Sequence, residues 1–302
     1  MKSRAYRTIS GLAGICSLAA VGYLAFRSHE AIAQIPWKSG ELLAAFLTSS
    51  LLFTLIYPAS AAAFIVILHQ LGFQARYGQQ LKIIGKTQLS RYLPGNFAQH
   101  LLRAAQLSRT GFPLGVIATA LTLETLLNLA AGVAIFFVSS GGDLPEIINP
   151  RVSASTWATL ALLAAGITAV ITVLRRAAIL ARVDKILAML SKISPVAMLG
   201  CIFLYSTSFV ATSCGLWLIC SAMGYSPPKV TELVGIFAIA WAGGAAAPGM
   251  PAGLGVREAI LATMLSYTMP TEHAALLATT HRLSSMLGDV LVAGASRWKF
   301  SP

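Results

Sequence analysis

Charged residues are scarce in this sequence, and acidic residues are the scarcest. Of 302 residues, 11% are charged and only 10 are Asp or Glu, whereas 56% are hydrophobic. The mean hydropathy is +0.74. A chain of this composition cannot cover itself with a polar surface, which excludes a water-soluble globular protein. The net charge of +12 does not indicate a nucleic-acid partner, because the basic residues lie between apolar runs, where they orient a chain in a bilayer.

The sequence also lacks the motifs of metal, redox and nucleotide chemistry. Its 4 cysteines lie in apolar runs without CxxC spacing, and its 5 histidines show no metal-ligand spacing. The stretch from Gly78 to Thr87 imitates a P-loop, but six residues separate its glycines where the motif needs four, and no strand precedes it. No nucleophile, base and orienting acid can be assembled. We therefore expect no cofactor and no enzymatic activity.

Long apolar runs predict an all-α polytopic membrane protein with about six transmembrane helices. Each predicted crossing has at least 18 residues, enough to cross the bilayer core at about 1.5 Å per residue. The second is long enough to tilt and to kink at Pro58. For the first, a cleaved signal peptide is the alternative, because Ala31-Ile32-Ala33 resembles a cleavage site, but its long apolar core favours a retained helix. The predicted crossings are 9–26, 42–71, 116–138, 156–174, 196–223 and 274–293.

Two further segments, 81–111 and 230–267, are broken by a Pro-Gly pair. We predict that each forms a re-entrant hairpin of two half-helices, which is possible where neighbouring helices cover the broken backbone. The alternatives are an amphipathic surface helix for the first segment and a full crossing by residues 230–247 for the second. With two hairpins, 15 of the 22 lysines and arginines are cytoplasmic, four are outside and three are embedded, and both termini are cytoplasmic.

The two hairpin segments are also similar in sequence. A shift of 154 residues places Pro94-Gly95 on Pro248-Gly249 and Arg103 on Arg257. Coincidence is the alternative, because Pro-Gly pairs are common. Since the predicted hairpins enter from opposite sides, each after two crossings and before one, the pattern predicts an inverted repeat within one transmembrane domain. The predicted domain is 1–302, and its halves are about 1–140 and about 150–302.

Ionisable side chains within or beside the membrane segments predict a polar site. An ionised group there costs at least about 2.5 to 3.5 kcal/mol, so these groups should face a cavity or one another. The half-helix after each break starts with free N–H groups and a positive dipole end, which suits a phosphate or carboxylate. The embedded residues are Arg103, Glu124, Arg257, Glu258, His281 and Arg282.

The three embedded arginines, Arg103, Arg257 and Arg282, could clamp a phosphate by paired donors. Glu124 could neutralise an arginine of the other half while the site is empty. The alternative is that these groups form internal ion pairs that lock helices together. The predicted lipid-headgroup site comprises Pro94, Gly95, Asn96, Arg103, Glu124, Pro248, Gly249, Gly253, Gly255, Arg257, Glu258 and Arg282.

These residues resemble a known family. The runs Tyr92-Leu93-Pro94-Gly95-Asn96 and 248–259, with Arg103, Gly111, Glu124 and Arg282, are similar to the transmembrane region of lysylphosphatidylglycerol synthase and its stand-alone flippase-like relatives. The resemblance covers nearly the whole chain, and residues 253–259 are its most specific part. It implies a polytopic inner-membrane protein with inverted repeats that handles anionic lipids, often in lipid-linked glycan pathways.

The sequence departs from the family pattern at two places. Thr125 stands where the family often has an arginine, and Met250-Pro251-Ala252 interrupts a Pro-Gly-Gly run. Because the sequence ends at Pro302, without a soluble aminoacyl-transfer domain, lipid aminoacylation is not expected.

The expected function is translocation of an anionic phospholipid or of a polyprenyl-phosphate lipid such as a glycan precursor. A midplane site between the two halves would be exposed to each side in turn. The alternative is a scaffold that binds a membrane glycosyltransferase and moves nothing. A third possibility, an enzyme acting on lipid phosphates, would need a metal or a nucleophile that the sequence does not reveal.

Overall fold

The computed structural model describes residue 30 and residues 33–93, 98–139, 193–247 and 251–297. Within these residues all regular structure is helical, which confirms the predicted all-α class. Two short 3₁₀ helices, Leu89–Tyr92 and Pro251–Gly253, accompany the α-helices. The α-helices are α1 Gly40–Thr54, α2 Ile56–Gln70, α3 Tyr77–Gln88, α4 Ala98–Ser108, α5 Leu114–Ser139, α6 Pro195–Ala222, α7 Val230–Ala246, α8 Val256–Leu265 and α9 Thr271–Arg297.

Three stretches of the described chain are long and apolar enough to cross a membrane. They are α1 with α2 (Gly40–Gln70, 31 residues), α5 (26 residues) and α6 (28 residues). They coincide with the predicted crossings at 42–71, 116–138 and 196–223. The protein is therefore an integral membrane protein. Helix α9 covers the predicted crossing 274–293 and, with 27 residues, is about 40 Å long, but its charged side chains make it less apolar than these three.

The remaining two predicted crossings, 9–26 and 156–174, lie outside the described residues, as does the alternative of a cleaved signal peptide. The predicted kink in the second crossing does appear in the described chain. Helix α1 ends at Thr54 and α2 begins at Ile56, two residues before Pro58. Proline has no N–H to bond the carbonyl four residues back, so the helix is weakened at this turn.

Both predicted hairpin segments consist of two helices separated by a break. In the first, α3 and its 3₁₀ helix are followed by α4; in the second, α7 is followed by the other 3₁₀ helix and α8. The helices of each segment pack against each other. Helices α3, α4 and α8 have 12, 11 and 10 residues, whereas a crossing needs about 20. The inverted relation of the two segments stays a prediction.

The two breaks meet beside α9. The two 3₁₀ helices contact each other, and both contact α9 or its apolar cluster. Tyr92 from the first break, Ala252 from the second and Met286 from α9 share this cluster. Tyr92 and Ala252, which are 160 positions apart in the chain, therefore belong to one junction, and the cavity described below lies next to it.

Helix α6 is central to the packing, since it contacts α1, α2, α5, α7 and α9. At its crossing with α1 and α9, the hydroxyls of Ser49 and Ser284 lie 3.0 Å apart. A Cβ added at Gly215 of α6 would come within 2.5 Å of the Ser49 hydroxyl. Small residues thus bring these three helices close together, as is usual where lipid supplies no hydrophobic force between helices.

Candidate functional site

A cavity of about 220 Å³ lies between the helices, and every helix from α1 to α8 contributes to its wall. The break of each interrupted segment also contributes, through Arg91 and Ala252. Polar groups at the centre of a membrane helix bundle are expensive unless they face water or a ligand, so this lining suits water or a polar ligand. The charged lining residues are Arg91, Arg103, Glu124 and Arg257; the uncharged polar ones include Ser60, Gln88, Gln99, His100, Thr125, Asn128, Ser208 and Thr212.

Arg103 on α4 and Glu124 on α5 form a buried ion pair on this wall. Arg103 Nη1 donates to Glu124 Oε2 at 2.5 Å, and the two residues are 3% and 8% exposed. The guanidinium lies 4.2 Å from the centre of the Phe64 ring. Its Nε and Nη2 are buried and have no hydrogen-bond partner among the described residues. Glu124 therefore neutralises an arginine of its own half, not of the other half as expected, and Arg103 retains donors for a further acceptor.

Arg257 on α8 lines the same cavity and differs from Arg103 in having no carboxylate partner. It is 4% exposed, and its guanidinium lies 4.5 Å from the centre of the Phe237 ring. It forms no ion pair with any residue that the structure describes, and its Nη2 has no hydrogen-bond partner there. An anion in the cavity would stabilise a buried cation in this position.

Arg282 on α9 does not line the cavity. Its Nε lies 3.2 Å from Glu258 Oε1, an ion pair without hydrogen-bond geometry, and its Nη2 donates to the Ala252 carbonyl at 3.4 Å. The guanidinium also lies 5.6 Å from the centre of the Tyr92 ring. The predicted cluster of three arginines is thus divided. Arg103 and Arg257 share the cavity, whereas Arg282 holds the two breaks together, as the alternative of internal ion pairs described.

Gly253 and Gly255 act through the backbone. Their φ angles are +67° and +81°, conformations that favour glycine. A Cβ added at Gly253 would lie 2.6 Å from the carbonyl oxygen of Gly244, so this glycine lets α7 approach the start of α8. The N–H of Gly255 donates to Glu258 Oε2 at 2.6 Å, which closes the first turn of α8.

Both Pro-Gly pairs lie outside the described residues. The predicted site residues Pro94, Gly95, Asn96, Pro248 and Gly249 lie outside the described residues, so the anion seat at the half-helix N-termini stays a prediction. Of the other embedded residues, His281 is 2% exposed and packs edge-on against Phe237, with ring centres 5.4 Å apart.

A buried carboxylate network that the sequence analysis missed lies behind the cavity wall. Asp289 on α9 is 1% exposed and accepts hydrogen bonds from the Tyr57 hydroxyl, from the Tyr92 hydroxyl at 2.5 Å and from Gln88 Nε2 at 3.2 Å. Arg91 Nη1 lies 3.7 Å from Oδ2 of Asp289. Asp289 lies inside a predicted crossing, so the rule that singled out Arg103 applies to it equally.

Comparison with curated proteins and with solved structures gives no match. The family model described as "Lysylphosphatidylglycerol synthase TM region" matches residues 9–293. The match includes both interrupted segments and the whole cavity wall, and it confirms the resemblance drawn from the motifs. The chain belongs to the family of the lysylphosphatidylglycerol synthase transmembrane region.

Proposed function

We propose that this protein is a translocase of anionic or phosphate-bearing lipids in the cell inner membrane. The headgroup of the lipid binds in the cavity that Arg103 and Arg257 line, and the tails of the lipid remain among the membrane lipids. Both termini are cytoplasmic, and no catalytic step is assigned to the cavity. The observation that carries the proposal is Arg257, a buried guanidinium on a polar cavity wall with no carboxylate partner among the described residues.

The size of the cavity supports a headgroup as its occupant. About 220 Å³ is below the usual 300 to 1,000 Å³ of a drug-sized ligand site. It suits a phosphate with a small substituent and is too small for acyl or prenyl chains. The guanidinium groups of Arg103 and Arg257 on the cavity wall suit phosphate oxygens, because guanidinium groups bind these by charge-assisted hydrogen bonds.

The breaks in the two segments support movement of the site between the two sides of the membrane. Interrupted helices line the substrate sites of many transporters, where one repeat moves against the other. Here the 3₁₀ helices of the two segments contact each other and each supplies a residue to the cavity wall. A displacement of one segment against the other would change the cavity at this junction.

Replacement of Arg257 tests the proposal. In liposomes with labelled phosphatidylglycerol or a labelled polyprenyl-phosphate lipid, we expect the wild-type protein to accelerate transfer between leaflets. We expect Arg257→Gln to reduce the rate at least about tenfold, because a hydrogen bond to a charged group is lost. The measurement is the fraction of label that a membrane-impermeant reagent reaches over time.

Arg297→Gln is the matched control, because Arg297 is an exposed arginine at the end of α9. It should transfer lipid at the wild-type rate. The proposal would be contradicted if vesicles with wild-type protein transferred lipid no faster than empty vesicles. It would also be contradicted if Arg257→Gln transferred lipid as fast as the wild-type protein. If a membrane glycosyltransferase then co-purified in stoichiometric amount, the protein would be an accessory subunit instead.

A further inference from the structure

We propose that the cavity selects headgroups with a single negative charge, that is, phosphodiesters, over headgroups with two or more. This inference rests on the proposed function, since it names the substrate class of the same site. It follows from the pairing of the charged residues on the cavity wall.

Three of the four charged lining residues are compensated. Arg103 is paired with Glu124 at 2.5 Å. Arg91 lies 3.7 Å from Asp289, the buried carboxylate of α9. Only Arg257 has no carboxylate partner among the residues that the structure describes. The fixed charge that these groups offer to a ligand is therefore one positive charge.

The compensation of Arg91 is fixed by the network around Asp289. Tyr57, Tyr92 and Gln88 all donate hydrogen bonds to this carboxylate. Such donors hold a carboxylate in place. Asp289 cannot turn away from Arg91 without leaving several buried donors without an acceptor, so a ligand does not gain the full charge of Arg91.

A phosphodiester fits one free arginine. Its single negative charge is shared by two oxygens, which a guanidinium without a carboxylate partner, such as that of Arg257 on the cavity wall, can bind by paired hydrogen bonds. A phosphomonoester or diphosphate brings further negative charge. On the described wall this charge would be repelled by Glu124, and no second unpaired cation is present there to bind it. A zwitterionic headgroup brings its own cation, for which the wall offers only the already paired Glu124.

The order of affinities of the wild-type protein tests the inference directly. The full chain in detergent micelles is titrated with phosphatidylglycerol, phosphatidic acid and phosphatidylcholine at pH 8, where phosphatidic acid, a phosphomonoester, carries more than the single negative charge of a phosphodiester. We expect phosphatidylglycerol to bind about tenfold more tightly than either of the others. Glycerophosphoglycerol, the same phosphodiester without acyl chains, should bind much more weakly. If it bound as tightly as the lipid, a free phosphodiester would be the ligand.

A charge change in the cavity should move the preference. Glu124→Gln releases Arg103 and raises the free charge to two, so we expect the ratio of phosphatidic acid affinity to phosphatidylglycerol affinity to rise about tenfold. Asp289→Asn should raise it by releasing Arg91. Glu41→Gln, which removes an exposed carboxylate of α1, should leave the ratio unchanged.

Two results would overturn the inference. One is a wild-type protein that binds phosphatidic acid at least as tightly as phosphatidylglycerol. This result does not depend on the folding of any variant. The other is an unchanged affinity ratio in a folded Glu124→Gln protein. A wild-type protein that binds none of these lipids would instead contradict the proposed function itself.

Discussion

Asp289→Ala is expected to lower the free energy of unfolding by about 3 to 5 kcal/mol, the usual cost of removing one partner of a buried charge pair. The substitution leaves Arg91 without its buried carboxylate and the hydroxyls of Tyr57 and Tyr92 without their acceptor. These groups come from α2 and from the first break, so the loss loosens α9 from both. The measurement is the temperature at which purified protein in detergent loses its monodisperse peak on size exclusion.

A carboxylate on the same helix provides the control. Glu272 lies in the first turn of α9 and is exposed, so Glu272→Ala should unfold within a few degrees of the wild-type protein. An Asp289→Ala protein as stable as Glu272→Ala would show that the carboxylate network contributes nothing to the fold. The claim that Asp289 is held in place to compensate the charge of Arg91 would then lose its physical basis.

Gly253→Ala is expected to have the second largest effect, a destabilisation of about 3 kcal/mol or more. The new Cβ would lie 2.6 Å from the carbonyl oxygen of Gly244, a backbone atom of α7 that cannot rotate away. The residue also has a φ of +67°, which a side chain strains. Helices α7 and α8 must separate to relieve the contact, and Arg257, which lies against Gly244, moves with α8.

Gly255→Ala separates the two causes. Gly255 has a similar φ of +81°, but a Cβ there meets no atom within 4 Å. This variant should show only the backbone strain, about 1 to 3 kcal/mol, and less loss of stability than Gly253→Ala in the same thermal assay. Equal losses in the two proteins would show that the approach of α7 and α8 at Gly253 is not tight.

The crossings and breaks of this chain are predictable because they depend on local sequence. An apolar run long enough to span a bilayer is a property of consecutive residues, and the helices at 40–70, 114–139 and 195–222 follow the predicted runs closely. The prediction that the two segments are interrupted has a local basis as well, since a proline inside a run disfavours a continuous helix. Prediction succeeded for these three described crossings because lipid leaves helices as the main way to satisfy the backbone.

Pairing of the embedded charges was less predictable, because it depends on which helices become neighbours. Arg103 and Glu124 are 21 residues apart and adjacent helices bring them together, yet the sequence suggested a partner in the other half. Tyr57 and Asp289 are 232 residues apart, and no local pattern joins them. The charge rule points to Asp289, but the tyrosines and the glutamine that hold it are recognisable only in the folded chain.

The most direct test of the account is a structure of the protein in nanodiscs that contain phosphatidylglycerol. We predict a lipid phosphate within hydrogen-bond distance of the Arg257 guanidinium, with Arg103 on the same cavity wall as a second donor. A lipid headgroup bound elsewhere, with the cavity filled by a side chain or by water alone, would contradict it.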